Sequence, residues 1–218
     1  AGTSRTFTIE KNGTDSGITI TISGTATTGN YTANTLAVVA GDKVTIQQTA
    51  ITGTPAPTDS KHGIVALPAT EGEWFTAATT DDALNTATTE YQHLTCGGAL
   101  LTATENEQYN LAQATTAKAI YVNLSAAPGA GDSWIFTLRQ NGTTNTALAV
   151  TLSEAETADN YATDVTISAN DLLTTGITLT GTPAVSVESQ IAYLFYNAPT
   201  GEETLTYRTR KVILSAVG

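Results

Sequence analysis

Two histidines, one cysteine and a few carboxylate pairs are the residues of this chain whose types could do chemistry. His62 and His93 stand far apart, and neither has a second ligand at zinc spacing, so each is expected at the surface or in a loop. Pairing Cys96 as a nucleophile with His93 would require an orienting group and an oxyanion hole. A separation of three on one strand also turns the two side chains to opposite faces. Asp81-Asp82, Glu71 and Glu73 beside Trp74, and Glu202-Glu203 are the pairs that glycoside hydrolysis could use. All lie in polar stretches that read as solvated loops; their oxygens could hold calcium weakly, but the EF-hand spacing is missing. There is no Gly-x-Ser-x-Gly elbow, phosphate loop or dinucleotide fingerprint. The expectation is a protein that is not an enzyme and that uses no metal and no cofactor.

Binding residues are easier to nominate than catalytic ones. Trp74-Phe75 in an acidic stretch, with Tyr91 and Tyr109, could form the flat platform of a carbohydrate-binding module, which makes Trp74 and Phe75 the candidate glycan contacts. Core or interface packing is the competing use of the same residue types. Asn12, Asn30, Asn123 and Asn141 each begin an Asn-x-Ser/Thr sequence and are candidate glycosylation sites in an exported protein.

The elements that would carry these residues are set by composition. Threonine supplies 45 of the 218 residues, and a β-branched side chain suits a strand better than a helix. The formal charge is −11 and the pI near 4.4, with only nine Lys and Arg. Nucleic acid, which needs clustered cations, is therefore excluded as a partner, and an acidic membrane surface is disfavoured likewise. No apolar run approaches the length that spans a bilayer. The absence of Met and the opening Ala1-Gly2-Thr3-Ser4 lead us to expect a processed, secreted chain at the cell surface or beyond it. Cys96 has no partner for an internal disulfide and is expected as a small buried hydrophobe.

An internal repeat organises the chain. Arg5-Thr6-Phe7-Thr8-Ile9-Glu10-Lys11-Asn12-Gly13-Thr14 matches Ile135 to Thr143 when Phe7 is laid on Phe136. Ile18, Ile20 and Ile22 then fall on Leu148, Val150 and Leu152 after a one-residue adjustment, Asn30-Tyr31 on Asn160-Tyr161, Gly41-Asp42 on Asn170-Asp171, and Gly53-Thr54-Pro55 on Gly181-Thr182-Pro183. Each copy alternates apolar and polar residues around an Asn-Gly pair, the pattern of a hairpin with one buried face. Leu36 to Val39, the Gly41-Asp42 turn and Val44 to Ile46 predict a second hairpin, as do Val165 to Ile167 and Ile177 to Leu179. A break at Gly97-Gly98, a strand over 119–124, a loop over 128–131 and a short helical turn around Asp81 to Asn85 complete the reading. Strands at this spacing predict an all-β protein of two tandem jelly-roll-like antiparallel sandwiches, residues 1–87 and 88–204.

The run Val122 to Gly131 followed by Phe136-Thr137-Leu138-Arg139-Gln140-Asn141-Gly142-Thr143 resembles a family of jelly-roll-like domains. These are found in bacterial surface proteins and phage-associated structural proteins, and they resemble subunits of environmental bacterial filaments. The resemblance covers most of residues 90–197 and, more weakly, 5–67. It implies a structural role and no activity, because the shared residues are turn and core positions.

The ends of the chain add an expectation about assembly. A strand and loop, Ile120 to Gly131, lead into the second copy, whereas the first begins at Phe7. Residues Lys211 to Gly218 followed by Ala1 to Ser4 repeat the pattern of Ala119 to Gly131. The segment 205–218 is therefore expected to complete the first copy, from the same chain or a neighbour, and a neighbour would make a head-to-tail fibre. Leu205, Tyr207, Val212, Ile213, Leu214, Phe7 and Ile9 are the expected interface. Copies of the same chain are the expected partners, with glycans as the alternative; a carbohydrate-binding adhesin module or a phage virion structural protein is the alternative function.

Overall fold

The structure, a computed structural model, describes residues 2–39, 41–55, 62, 64, 68–80, 82–99 and 101–198. The chain divides into two units at Val65/Ala66. In the first unit, the alternation around Phe7 and Ile9 gives β1 (Ser4–Lys11), flanked by β2 (Thr14–Ser23) and β3 (Val44–Thr52) in the order β2-β1-β3. Both pairings are antiparallel. Residues directly opposed across a ladder share a face. Phe7 lies opposite Ile20, Arg5 opposite Ile22 and Ile51, and Ile9 opposite Ile46, which makes one face largely apolar. The other is a threonine face: the Thr6 and Thr21 hydroxyls are 2.9 Å apart, and that of Thr8 lies 3.3 Å from Thr19 and 2.9 Å from Thr49.

The second unit holds β4 (Glu73–Thr80), β5 (Glu90–Gln92), β6 (Cys96–Ala99), β7 (Asn110–Leu111), β8 (Thr115–Leu124), β9 (Gly129–Gln140), β10 (Thr144–Glu154), β11 (Ala158–Ile167), β12 (Leu172–Thr180) and β13 (Ser189–Tyr196). One sheet runs β10-β9-β12-β5, with β7 also on β12, and the other runs β11-β8-β13-β4-β6. Leaving aside the short β6 and β7, the eight remaining strands pair only antiparallel. Counted along the chain they fall in the orders 1-8-3-6 and 2-7-4-5. That is the winding of a jelly roll, in which two sheets face each other across one core. Trp134, Phe136, Leu138, Leu148, Leu152, Ile120, Leu173 and Phe195 are fully buried there, each side chain contributing roughly 1.5–3 kcal/mol by its removal from water. Tyr193 is buried as well, and its hydroxyl lies 2.8 Å from that of Thr175, so its polar tip is satisfied.

Four expectations change. The boundary between units lies before β4, because Glu73–Thr80 pairs along its length with β13 and so belongs to the second sandwich. Gly97-Gly98 is no break but lies within β6, parallel to β4. No helical turn forms over 82–85; the one helical turn among the described residues is a 3-10 turn at Glu105–Gln108. Leu36 to Val39 forms no strand, for a reason that the second unit supplies.

Candidate assembly surface

The two units share most of their hairpin hydrogen bonds. Asn12 and Gly13 have φ of 54° and 76°, Asn141 and Gly142 of 55° and 69°, the left-handed region that Asn and Gly tolerate and other residues resist. Asn141 Oδ1 accepts from the Leu172 amide at 2.8 Å, and its Nδ2 donates to Asp171 Oδ1 at 2.8 Å. Asp171 Oδ2 in turn accepts from the Ser168 amide at 2.7 Å and from Gln140 Nε2 at 2.5 Å. In the first unit Asn12 Oδ1 accepts from the Lys43 amide and its Nδ2 donates to Asp42 Oδ1, both at 2.8 Å. Asp42 Oδ2 accepts from the Val39 amide at 2.8 Å and from Lys11 Nζ at 2.7 Å. Further along, Ser16 Oγ donates to the Ile9 carbonyl and accepts from the Ile18 amide, just as Thr146 does between Leu138 and Leu148. Lys11, then Val39 and Asn12, hold the Asp42 carboxyl down at about 2, and Asn141 before any other group lowers that of Asp171. The order β2-β1-β3 corresponds to β10-β9-β12.

What covers the apolar face differs between the units. In the second, Phe136, Leu138, Leu148, Val150 and Leu152 lie at 2% exposure or less beneath the sheet of β8, β11 and β13. Their counterparts Phe7, Ile9, Ile18, Ile20 and Ile22 are half-buried. Described residues 25–39 form no strand, although the equivalent stretch in the second unit contains β11. Here the backbone crosses the apolar face closely: a Cβ at Gly29 would sit 2.7 Å from Ile20 Cγ2. The His62 ring meets Phe7 edge-on with centroids 5.0 Å apart. Val38, at the place of Ile167, is 53% exposed where Ile167 is 1% exposed. β11 is a strand because β8 supplies its ladder; among the described residues no strand supplies one to 25–39. That is why the expected strand at Leu36 to Val39 does not form, and why Phe7, unlike Phe136, is not a fully buried core residue.

The other nominated residues are dispersed. Leu205, Tyr207, Val212, Ile213 and Leu214, with Glu202 and Glu203, lie outside the described residues, as does Asp81. Trp74 is stacked on Phe195, with centroids 4.5 Å and planes 15° apart, and its Nε1 donates to Asn197 Oδ1 at 3.1 Å. Phe75, next along β4, is 55% exposed; successive residues of a strand face opposite ways, so the two aromatics do not share a platform. Tyr91 sits in the other sheet, its ring beneath the Arg139 guanidinium at 5.6 Å. Arg139 is bound to Glu105, Nε to Oε1 at 2.7 Å and Nη2 to Oε2 at 3.0 Å, and also donates to Asn145. His93 lies in the connection between β5 and β6, a loop position as expected, but it is buried at 2% exposure and not at the surface, because that connection carries it into the core beside Leu94. Asn30 is exposed, whereas Asn123 lies on β8 with its Nδ2 donating to Gln190 Oε1 at 3.3 Å. Glu73 is 4.0 Å from Lys118. The described residues hold no group of three or more His, Cys, Asp or Glu placed to bind a metal ion, and no helix among them is long and apolar enough to cross a membrane.

No protein-family model matches the chain, and no curated protein matches it. Among solved structures it is similar to a chain of "The Structure of Tomato Aspermy Virus by X-Ray Crystallography" at 11% identity, covering 65% of this chain and 87% of that one, with a TM-score of 0.34. A similarity of that degree carries no argument about this protein.

Proposed function

We propose that this chain is the structural subunit of an extracellular filament built head to tail from copies of itself, and that its two units descend from one duplicated jelly-roll domain. The observation that carries the reading is the contrast between the units. The second has a complete two-layer sandwich, whereas the first shows, among the described residues, the equivalent of three strands of one layer. The described residues over its apolar face are irregular chain and not a facing sheet. A sheet with one face half covered and a neighbouring segment without a ladder is built to accept more structure. The shared Asn–Asp clamps and the Ser16 and Thr146 bridges support the duplication, since five equivalent hydrogen bonds are hard to reach from composition alone.

A carbohydrate-binding role has less support, because Trp74 spends its ring on Phe195 and Phe75 faces away from it. Negative-stain microscopy of the purified full chain tests the reading. Regular filaments are expected. Closed shells would favour a virion component instead, and dispersed particles that bind a glycan array would overturn the structural role.

A further inference from the structure

At the end of β4 far from Trp74 the second unit opens into a cleft of about 240 Å³. Three strands build one side of it. Thr79 lies opposite Gln190 and Gln190 opposite Asn123, so β4, β13 and β8 set these residues in one continuous row. Their chain neighbours Ala78, Ile191, Val122 and Leu124 are buried in the core, and by alternation the row faces outward. One residue beyond the row, side chains take over from the main-chain ladder. The Ser189 amide donates to Thr80 Oγ1 at 2.8 Å, and the Glu188 amide donates to Ser125 Oγ at 2.9 Å. A hydroxyl standing where a main-chain carbonyl would pair holds the strand ends apart, and the cleft lies there.

The cleft has hydrogen-bonding capacity to spare. Asn123 Oδ1 and Ser189 Oγ belong to residues that line it, and both atoms are buried with no partner among the described residues; a buried polar atom left so destabilises the fold until something bonds it. Asn123 Nδ2 is spent on Gln190 Oε1 at 3.3 Å, which leaves Gln190 Nε2 as a donor. Ser125 Oγ accepts the Glu188 amide and keeps its own O–H to give. The exposed Glu188 carboxylate only accepts. This mixture of donors and acceptors selects the ligand. An anion is refused, because Glu188 lines the cleft and no Lys, Arg or His does. Calcium is poorly served, since it takes about six to eight oxygens with several carboxylates among them, and the cleft has one carboxylate. An apolar molecule would meet only Thr, Asn, Ser, Glu and Gln. Hydroxyl groups, which both donate and accept, match the set.

We infer that this cleft binds one sugar residue of a neutral glycan, with Glu188 and Asn123 accepting from its hydroxyls and Ser125 and Gln190 donating to them. The volume limits the bound part to a single ring, since drug-sized ligands occupy roughly 300–1,000 Å³. A longer glycan has a path out of the cleft. The next outward row is Ala77, Ala192 and Tyr121, two side chains with nothing beyond Cβ beside one amphipathic ring. The inference goes beyond the filament reading and stands without it. A few bonds in an open, wet cleft bind weakly, and repetition of the cleft along a filament would raise that affinity through multivalency.

The test is saturation-transfer NMR from the full chain to the methyl glycosides of glucose, galactose, mannose and N-acetylglucosamine, followed by titration of those that respond. At least one should respond, and Glu188→Gln and Gln190→Ala should each weaken its binding by ~5-fold or more. Both side chains are exposed, so the near-ultraviolet signal of Trp74 and Trp134 should persist in both variants and show that the sandwich is folded. Phe75→Ala, also at an exposed position but nearer the opposite end of β4, should leave the affinity unchanged. Silence from all the glycosides would overturn the inference. So would a response that the two cleft variants leave unmoved and Phe75→Ala abolishes, which would put the sugar at Phe75. Titration with calcium chloride in place of a glycoside should give no heat of binding; calcium uptake lost in Glu188→Gln, with no glycoside response, would make the cleft a cation site instead. A sugar found by peptide mapping to be attached covalently to Asn123 would also contradict the inference, since it would fill the cleft from within.

Discussion

Asn141 shows how much a single turn residue decides. Its backbone sits at positive φ and its amide ties the β9–β10 turn to Leu172 and Asp171. Asn141→Ala loses both bonds and strains the backbone, and should cost about 1–3 kcal/mol in chemical denaturation of the second unit. Asn141→Gly keeps the backbone conformation and should cost less than the alanine change; equal costs would show that the side-chain bonds contribute nothing. Asp42 gives a pH prediction. Its folded pKa lies near 2, below the ordinary 3.8, so the ionised form stabilises the first unit above the ordinary value. That contribution fades as pH falls from 3.8 towards 2. Following the Asp42 carboxyl carbon by NMR should give a midpoint near 2, and Lys11→Ala should move it up, because Lys11 is the largest cause of the shift. A midpoint at the ordinary carboxylate value would contradict the clamp.

At the scale of elements, the sequence made the hairpins legible because Asn-Gly pairs and strict alternation are local signals. Phe7 opposite Ile20 and Phe136 opposite Val150 both follow from them. Strands made by distant partners were not legible. β4 reads as a short Trp-Phe segment in a polar stretch, and it is a strand because β13 pairs with it from the far end of the unit. The same dependence misled the reading of Leu36 to Val39, whose composition suits a strand but whose ladder is absent among the described residues. The candidate assembly face was half legible: its floor residues Phe7 and Ile9 were, and the exposed Val38 and Val39 were not, since exposure is a property of what does not pack. Val38→Asp should therefore change the stability of the dispersed chain by no more than about 0.5 kcal/mol and yet abolish assembly. Ile167→Asp, which puts a carboxylate into the core, should cost roughly 4 kcal/mol or more. Assembly that survives Val38→Asp would remove Val38 from the assembly face.

For the whole molecule the account rests on one complete sandwich and, among the described residues, one three-stranded sheet with no facing sheet. Copies of a chain with a formal charge of −11 repel one another, and raising ionic strength relieves that repulsion. The growth rate at fixed subunit concentration should thus rise between low and physiological salt; a fall would show that an attraction between charges sets the rate. The most direct measurement is amide hydrogen exchange over residues 28–38, compared between assembled and dispersed protein. With no ladder among the described residues these amides open to solvent at almost no cost, whereas those of residues 158–167, bonded to β8, open only with the sandwich. The account predicts fast exchange over 28–38 in the dispersed chain and, on assembly, slowing towards the rate of 158–167, which itself changes little. Fast exchange over 28–38 in both states would contradict it.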